Sequence, residues 1–147
     1  MDHAVMTALF AGLTLWLLFR KDWFGAGIAV MSQCAFWAGA FSSEIFSTNI
    51  IVNVLAASVF VTLAERLQDR GKTGILPMSL CVVFLVMASI DVMHLLTQFN
   101  GYFIAQEAMH CVALLLIGSR GYVERAYGSY RGLGHSSGSD QIDGSMV

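Results

Sequence analysis

The sequence predicts an all-α membrane protein: a polytopic bundle of five transmembrane helices that ends in a helical hairpin and a mobile C-terminal tail. Three observations predict this fold class. Of the 147 residues, 56% are hydrophobic and only 12% are charged, whereas about a quarter of the residues in a soluble globular domain are charged. Apolar runs of helix length recur five times along the chain. Basic residues cluster at every second connection between these runs.

The five apolar runs divide the chain into a transmembrane domain, residues 1–119, and a cytoplasmic tail, residues 120–147. A helix needs roughly 20 apolar residues to cross the hydrocarbon core of a bilayer. The single proline, Pro77, leaves long uninterrupted helices available. The predicted spans are residues 4–19, 23–42, 45–64, 75–98 and 102–118.

The first two runs are joined by a short polar connection. The first run, residues 4–19, is slightly short for a hydrocarbon core of ~30 Å and crosses it if Arg20 snorkels to the interface. Trp23 follows as an interfacial anchor. The second run is rich in glycine and alanine, which let helices approach closely in lipid. We therefore expect it to form a tightly packed inner helix.

The third run carries Asn49 and Asn53, which are four residues apart and share one helix face. A charged connection, residues 65–72, follows it. The fourth and fifth runs are joined by a short turn, residues 98–102, and are expected to pair as a hairpin. After Arg120 the composition changes to glycine, serine and charge. Such a segment cannot bury enough apolar area to order itself, so we expect the tail to be mobile.

The basic residues fix the expected orientation. All eight Lys and Arg residues lie in three places: after the first run, after the third run and in the tail. Under the positive-inside rule this places the N-terminus outside and the C-terminus inside, in agreement with five spans of the cytoplasmic (inner) membrane. The three groups are Arg20 and Lys21; Arg66, Arg70 and Lys72; and Arg120, Arg125 and Arg131.

The last two runs each carry the pattern acid, any residue, Met, His. The first instance runs from Asp91 to His94 and the second from Glu107 to His110. Residues three apart share a helix face, so each acid is expected beside its own histidine. Folding the hairpin about Asn100 places both acids within about one helical turn of the same depth. An isolated charge there is costly, so these side chains should face one another or water.

These polar residues predict an acidic, histidine-bearing vestibule that opens outward and closes against a dry inner gate. The prediction depends on their falling in the outer half of the bilayer, while the inner halves of the runs are almost wholly apolar or small. The candidate ion- or proton-binding residues are Asn53, Asp91, His94, Gln98, Gln106, Glu107 and His110.

Two carboxylates and two imidazoles allow three kinds of chemistry. Asp91, His94, Glu107 and His110 form a candidate set for a divalent transition metal, because an acid and a histidine three apart project inward together in di-metal helix bundles. A haem held by the two histidines is less favoured, since they differ in depth by about 7 Å. The same groups are suited to relaying protons. Alternatively, they pair only with each other, as a polar clasp that fixes helix register.

Three functions follow from these readings. The first is a transporter, channel or channel subunit that handles a cation or a proton, within a homo-oligomer or a larger membrane complex because one copy encloses only a narrow pore. The second is a non-catalytic membrane assembly protein, holin-like or from a phage or virion membrane, that oligomerises or partners other membrane proteins. The third is a metal- or haem-binding membrane subunit. The sequence has no Ser–His–acid set and no phosphate loop, which disfavours an enzyme. A net charge of −2 gives no indication of nucleic-acid binding.

Overall fold

The computed structural model describes residues 3–41, 46–98 and 100–122. In that part of the chain all regular structure is helical, which confirms the all-α class. Each predicted apolar run coincides with one helix. Glu44, in the predicted connection between the second and third runs, lies outside the described residues, as does the predicted tail beyond its first three residues. The helices are α1 (His3–Phe19), α2 (Trp23–Phe41), α3 (Phe46–Asp69), α4 (Ile75–Thr97) and α5 (Tyr102–Gly118).

Helix α3 is longer than the apolar run that predicts it. The run ends at residue 64, but the helix continues through the charged residues that follow and ends at Asp69. Glu, Arg, Leu and Gln, which occupy positions 65–68, are strong helix formers. The change in polarity therefore marks the end of the apolar surface and does not mark the end of the helix.

Among the residues that the structure describes, two helices are long and apolar enough to cross a membrane, judged by length and composition. They are Thr48–Asp69 within α3, with 22 residues, and Ile75–Thr97, which is α4, with 23 residues. At 1.5 Å per residue each spans about 33 Å, slightly more than a hydrocarbon core. The apolar helices α1 and α5 have 17 residues each and reach about 25 Å.

The buried core shows how the helix ends are arranged. One continuous cluster contains Leu17 near the end of α1, Ala26 near the start of α2, Phe60 of α3, Leu76 at the start of α4 and Ile117 at the end of α5. The carboxyl ends of α1, α3 and α5 therefore lie at one end of the bundle, together with the amino ends of α2 and α4. This end, called the basic end below, carries the basic residues Arg20, Lys21, Arg66, Arg70, Lys72 and Arg120.

Helices α1 and α3 end in the same backbone motif at the basic end. In α1, Lys21 has a φ of 57° and the amide of Asp22 donates to the carbonyl of Leu17 at 2.9 Å. In α3, Gly71 has a φ of 69° and the amide of Lys72 makes the equivalent bond at 2.8 Å. This six-to-one bond around a left-handed residue is the Schellman motif, which usually places glycine at the left-handed position. Only α3 has the glycine.

An ion pair ties the α1–α2 turn to the end of α5. The guanidinium of Arg120 donates to the carboxylate of Asp22 at 2.5 Å and lies 4.5 Å from the centre of the Phe24 ring. The same carboxylate accepts the backbone amide of Gly25 at 2.9 Å. A Cβ at Gly25 would lie 2.7 Å from the other Asp22 carboxylate oxygen, so a larger residue there would require that carboxylate to shift.

Candidate functional site

The candidate site is centred on Asp91, a fully buried side chain of α4 with 0% of its surface exposed. Its carboxylate accepts three hydrogen bonds from two other helices. Asn53 of α3 donates at 2.7 Å to one carboxylate oxygen. Tyr102 and Gln106 of α5 donate at 2.7 Å and 2.8 Å to the other. One carboxylate therefore joins α3, α4 and α5.

A second set of bonds supports these donors. The side chain of Asn49, one turn before Asn53 on α3, hydrogen-bonds Tyr102. Gln106 also donates to the backbone carbonyl of Met87, at 3.2 Å. The five side chains Asn49, Asn53, Asp91, Tyr102 and Gln106 are called the Asp91 network below. A buried polar group is costly unless it is hydrogen-bonded, so mutual satisfaction is what allows this network inside an apolar bundle.

The two histidines lie in different surroundings. His94 is partly exposed, and its ring stacks on that of Tyr102 with 4.4 Å between the ring centres. His110 is buried, and its Nδ1 lies 2.7 Å from the backbone oxygen of Gln106. The His110 ring meets Phe36 of α2 edge to face, at 4.8 Å between centres. His94 therefore borders the Asp91 network, whereas His110 faces the packing surface between α5 and α2.

The remaining two predicted residues have other positions. Glu107 has intermediate exposure. Successive helical residues point about 100° apart, so a helix that turns Gln106 toward Asp91 directs Glu107 to another flank. Gln98 is exposed and ends α4 in the left-handed conformation, with its backbone amide donating to the carbonyl of His94 at 2.8 Å.

The structure does not assemble the predicted metal set. Among the described residues, which include Asp91, His94, Glu107 and His110, no three His, Cys, Asp or Glu side chains are grouped closely enough to hold a metal ion. The contacts at Asp91 are also unsuited to a cation, because Asn53, Tyr102 and Gln106 all present hydrogen-bond donors to the carboxylate. Asp91, which the sequence analysis places in the predicted vestibule, is fully buried.

Tyr102 is the functional residue that sequence reasoning missed. It stands at the end of the predicted turn and at the start of the predicted fifth span, and it is the only hydroxyl-bearing residue of α5. The signal that could have found it is spacing: Tyr102, Gln106 and His110 recur every four residues and so form one stripe along the helix. The acid, any residue, Met, His pattern favours Glu107 instead, which follows Gln106 and so points about 100° away from it.

Comparisons of this chain with known protein families, with curated proteins and with solved structures find no match.

Proposed function

We propose that the protein is an integral membrane protein of five spans. The support is the surface of the bundle. Large apolar side chains are exposed on several helices. Phe19, Leu96, Ile104 and Leu115 are among them, and each is more than 67% exposed. A soluble monomer rarely exposes contiguous apolar patches of this kind. Helices that are apolar on every side are typical of a lipid environment.

The proposed orientation places the basic end inside and the Asp91 network toward the outside. Basic residues at one end of the bundle are what the positive-inside rule requires of a protein with an outside N-terminus. The helices α1 and α5, at about 25 Å, span the bilayer when Arg20 and Arg120 snorkel to its inner surface.

Within this protein, we propose that the Asp91 network is a polar clasp and that the protein serves as a non-catalytic membrane component. The single observation that carries this proposal is that a carboxylate with no exposed surface accepts three hydrogen bonds from two other helices. In lipid, apolar helices gain nothing by leaving the hydrocarbon for one another, so packing and interhelical hydrogen bonds fix their arrangement. A bundle locked in this way is suited to assembling with further copies or with other membrane proteins.

A proton flux measurement tests the clasp against transport. The purified protein is reconstituted in liposomes that contain a pH-sensitive dye, and a potential is applied across the membrane. We expect the wild-type protein and Asp91→Asn to leak protons no faster than empty liposomes do. A wild-type flux that Asp91→Asn abolishes would overturn the clasp as the main role and establish proton handling.

Topology is tested separately with single cysteines and a membrane-impermeant maleimide, in a background without the three native cysteines. We expect Asn100→Cys to be labelled from outside in intact cells, and Lys21→Cys and Lys72→Cys to be labelled only after the membrane is opened. Labelling of Lys21→Cys in intact cells would contradict the proposed orientation.

Proton handling is the second candidate, and one specific observation favours it. The clasp has a carboxylate at a position where an amide could also form hydrogen bonds with the same neighbours. A buried ionisable group within a membrane is by default a candidate functional group. The α5 stripe continues from Tyr102, beside the partly exposed His94, past Gln106 to His110, whose Nδ1 contacts the backbone oxygen of Gln106. Tyr102 contacts both the Asp91 carboxylate and the His94 ring, and a carboxyl group, a phenol hydroxyl and an imidazole can each take up and release a proton.

A further inference from the structure

The α1–α2 turn presents two cations within a group of aromatic rings. Arg20 and Lys21 are both exposed. Phe19, Trp23 and Trp16 around them are 88%, 73% and 44% exposed. The guanidinium of Arg20 lies 4.8 Å from the centre of the Trp16 ring, close enough for a cation–π contact. The turn therefore combines positive charge with amphipathic rings that favour the boundary between headgroups and acyl chains.

The acid in the same turn is engaged elsewhere. Asp22 accepts hydrogen bonds from Arg120 and from the amide of Gly25, so its carboxylate is turned toward α2 and the end of α5. Its charge is balanced by Arg120. The tip of the turn keeps the two positive charges of Arg20 and Lys21.

Lys21 occupies a backbone position that disfavours it. Its φ of 57° is left-handed, a conformation in which a Cβ crowds the following carbonyl. The equivalent position at the end of α3 is Gly71, which adopts a φ of 69° without that crowding. A lysine at the strained position places an ammonium group at the tip of the turn, which a glycine would not supply.

We infer that the α1–α2 turn binds the headgroup of an anionic phospholipid in the inner leaflet. Arg20 and Lys21 bind the lipid phosphate, and Trp16, Trp23 and Phe19 lie against the glycerol and the upper acyl chain. Basic residues next to a membrane span attract anionic lipids, and aromatic rings hold the same depth. This inference rests on the proposed membrane embedding with the basic end inside.

Tryptophan quenching by brominated lipid tests the inference on the full chain. A Trp37→Phe background leaves Trp16 and Trp23 as the reporters. The protein is placed in nanodiscs of phosphatidylcholine that contain increasing fractions of brominated phosphatidylglycerol, and in matched nanodiscs with brominated phosphatidylcholine. We expect phosphatidylglycerol to quench at much lower mole fractions. Removing one basic side chain near an anionic surface should weaken this preference about fivefold, and Arg20→Gln with Lys21→Gln about 25-fold.

Lys21→Gly distinguishes a loss of lipid binding from a loss of folding. It copies the glycine of α3 and relieves the left-handed strain, so the variant should fold at least as well as the wild type while losing about fivefold in lipid preference. Lys72→Gln is the matched control, a charge removed at the basic end but outside the turn. We expect it to change the quenching less than about twofold, because attraction to one charge fades within a Debye length.

Three results would overturn the inference. Equal quenching by the two brominated lipids would show that the turn has no preference for charge. Equal losses in Lys21→Gly and Lys72→Gln would assign the preference to diffuse attraction. Displacement of brominated phosphatidylglycerol by added inorganic phosphate would reassign the turn to a free anion. Extraction of the wild-type chain from membranes by alkaline carbonate would instead contradict the membrane embedding itself, which keeps the two failures distinguishable.

Discussion

Substitutions at Asp91 separate the number of hydrogen bonds in the network from the charge at its centre. Asp91→Asn keeps the branched shape, and its amide oxygen can accept from Tyr102 and Gln106. Its new amide group replaces the oxygen that Asn53 contacts, and a half-turn of the Asn53 amide restores that bond with donor and acceptor exchanged. Asp91→Leu keeps the branched shape but has no hydrogen-bond acceptor. The first variant therefore preserves three bonds without the charge, and the second loses all three.

The expected loss of stability depends on which hydrogen-bonding groups around position 91 keep a partner in each variant. Interhelical hydrogen bonds in membranes contribute about 0.6 kcal/mol on average, and bonds to an ionised group are roughly twice as strong. Leucine at position 91 leaves buried donors on Asn53 and Tyr102 without their acceptor, while Gln106 retains its bond to the carbonyl of Met87. We expect Asp91→Leu to lower the free energy of unfolding by about 2 to 4 kcal/mol, and Asp91→Asn by no more than about 1 kcal/mol.

Unfolding in mixed micelles, followed by far-ultraviolet circular dichroism as SDS is added, measures these differences. Ser89→Leu is the matched control, because it adds a leucine at an exposed position of α4. It should leave the unfolding midpoint close to that of the wild type. Equal losses in Asp91→Asn and Asp91→Leu would show that the charge stabilises the bundle. An unchanged midpoint in Asp91→Leu would show that the network is no clasp.

Three further substitutions are expected to change stability in the same assay. Tyr102→Phe removes one donor to the carboxylate and should cost about 1 kcal/mol; a loss as large as that of Asp91→Leu would mean that the ring packing had failed as well. Lys21→Gly should raise the stability by about 1 kcal/mol through relief of the left-handed backbone, and any loss would contradict the strain. Gly74→Ala should cost about 1 to 3 kcal/mol, because its Cβ would lie 2.7 Å from the backbone oxygen of Ala64. Gly27→Ala, which meets nothing within 4 Å, is the control and should be neutral or slightly stabilising.

The helices could be predicted from the sequence because apolar runs of this length have few alternatives. A backbone in lipid must satisfy its own hydrogen bonds, and one proline in the chain interrupts little. The end of α3 could not be placed in the same way. Hydropathy reports where the apolar surface stops, whereas the helix continues to Asp69 on propensity and on the motif around Gly71.

The candidate site could be predicted only in part. The sequence indicated Asp91, Asn53 and Gln106 as polar side chains in the predicted outer half of the bilayer, and the structure joins them by hydrogen bonds. The sequence could not show which side chains of α5 face Asp91, because a difference of one residue turns a side chain by about 100° around the helix. That rotation distinguishes Gln106, which contacts Asp91, from Glu107, which the sequence pattern favoured.

The hydrogen-bond acceptors at position 91 give α5 a reason to pack that its apolar surface alone does not supply. Asn53 provides one hydrogen bond to Asp91 from within the α3–α4 pair, whereas Tyr102 and Gln106 provide the other two from α5. An α5 that stays apart in lipid loses little apolar contact, because hydrocarbon chains replace the side chains of the bundle. It does, however, leave the carboxyl group of Asp91 in hydrocarbon with one of its three partners, and a buried polar group that loses its hydrogen bonds costs about 1 to 3 kcal/mol. The carboxylate therefore specifies the closed arrangement of α3, α4 and α5 mainly by penalising the alternatives.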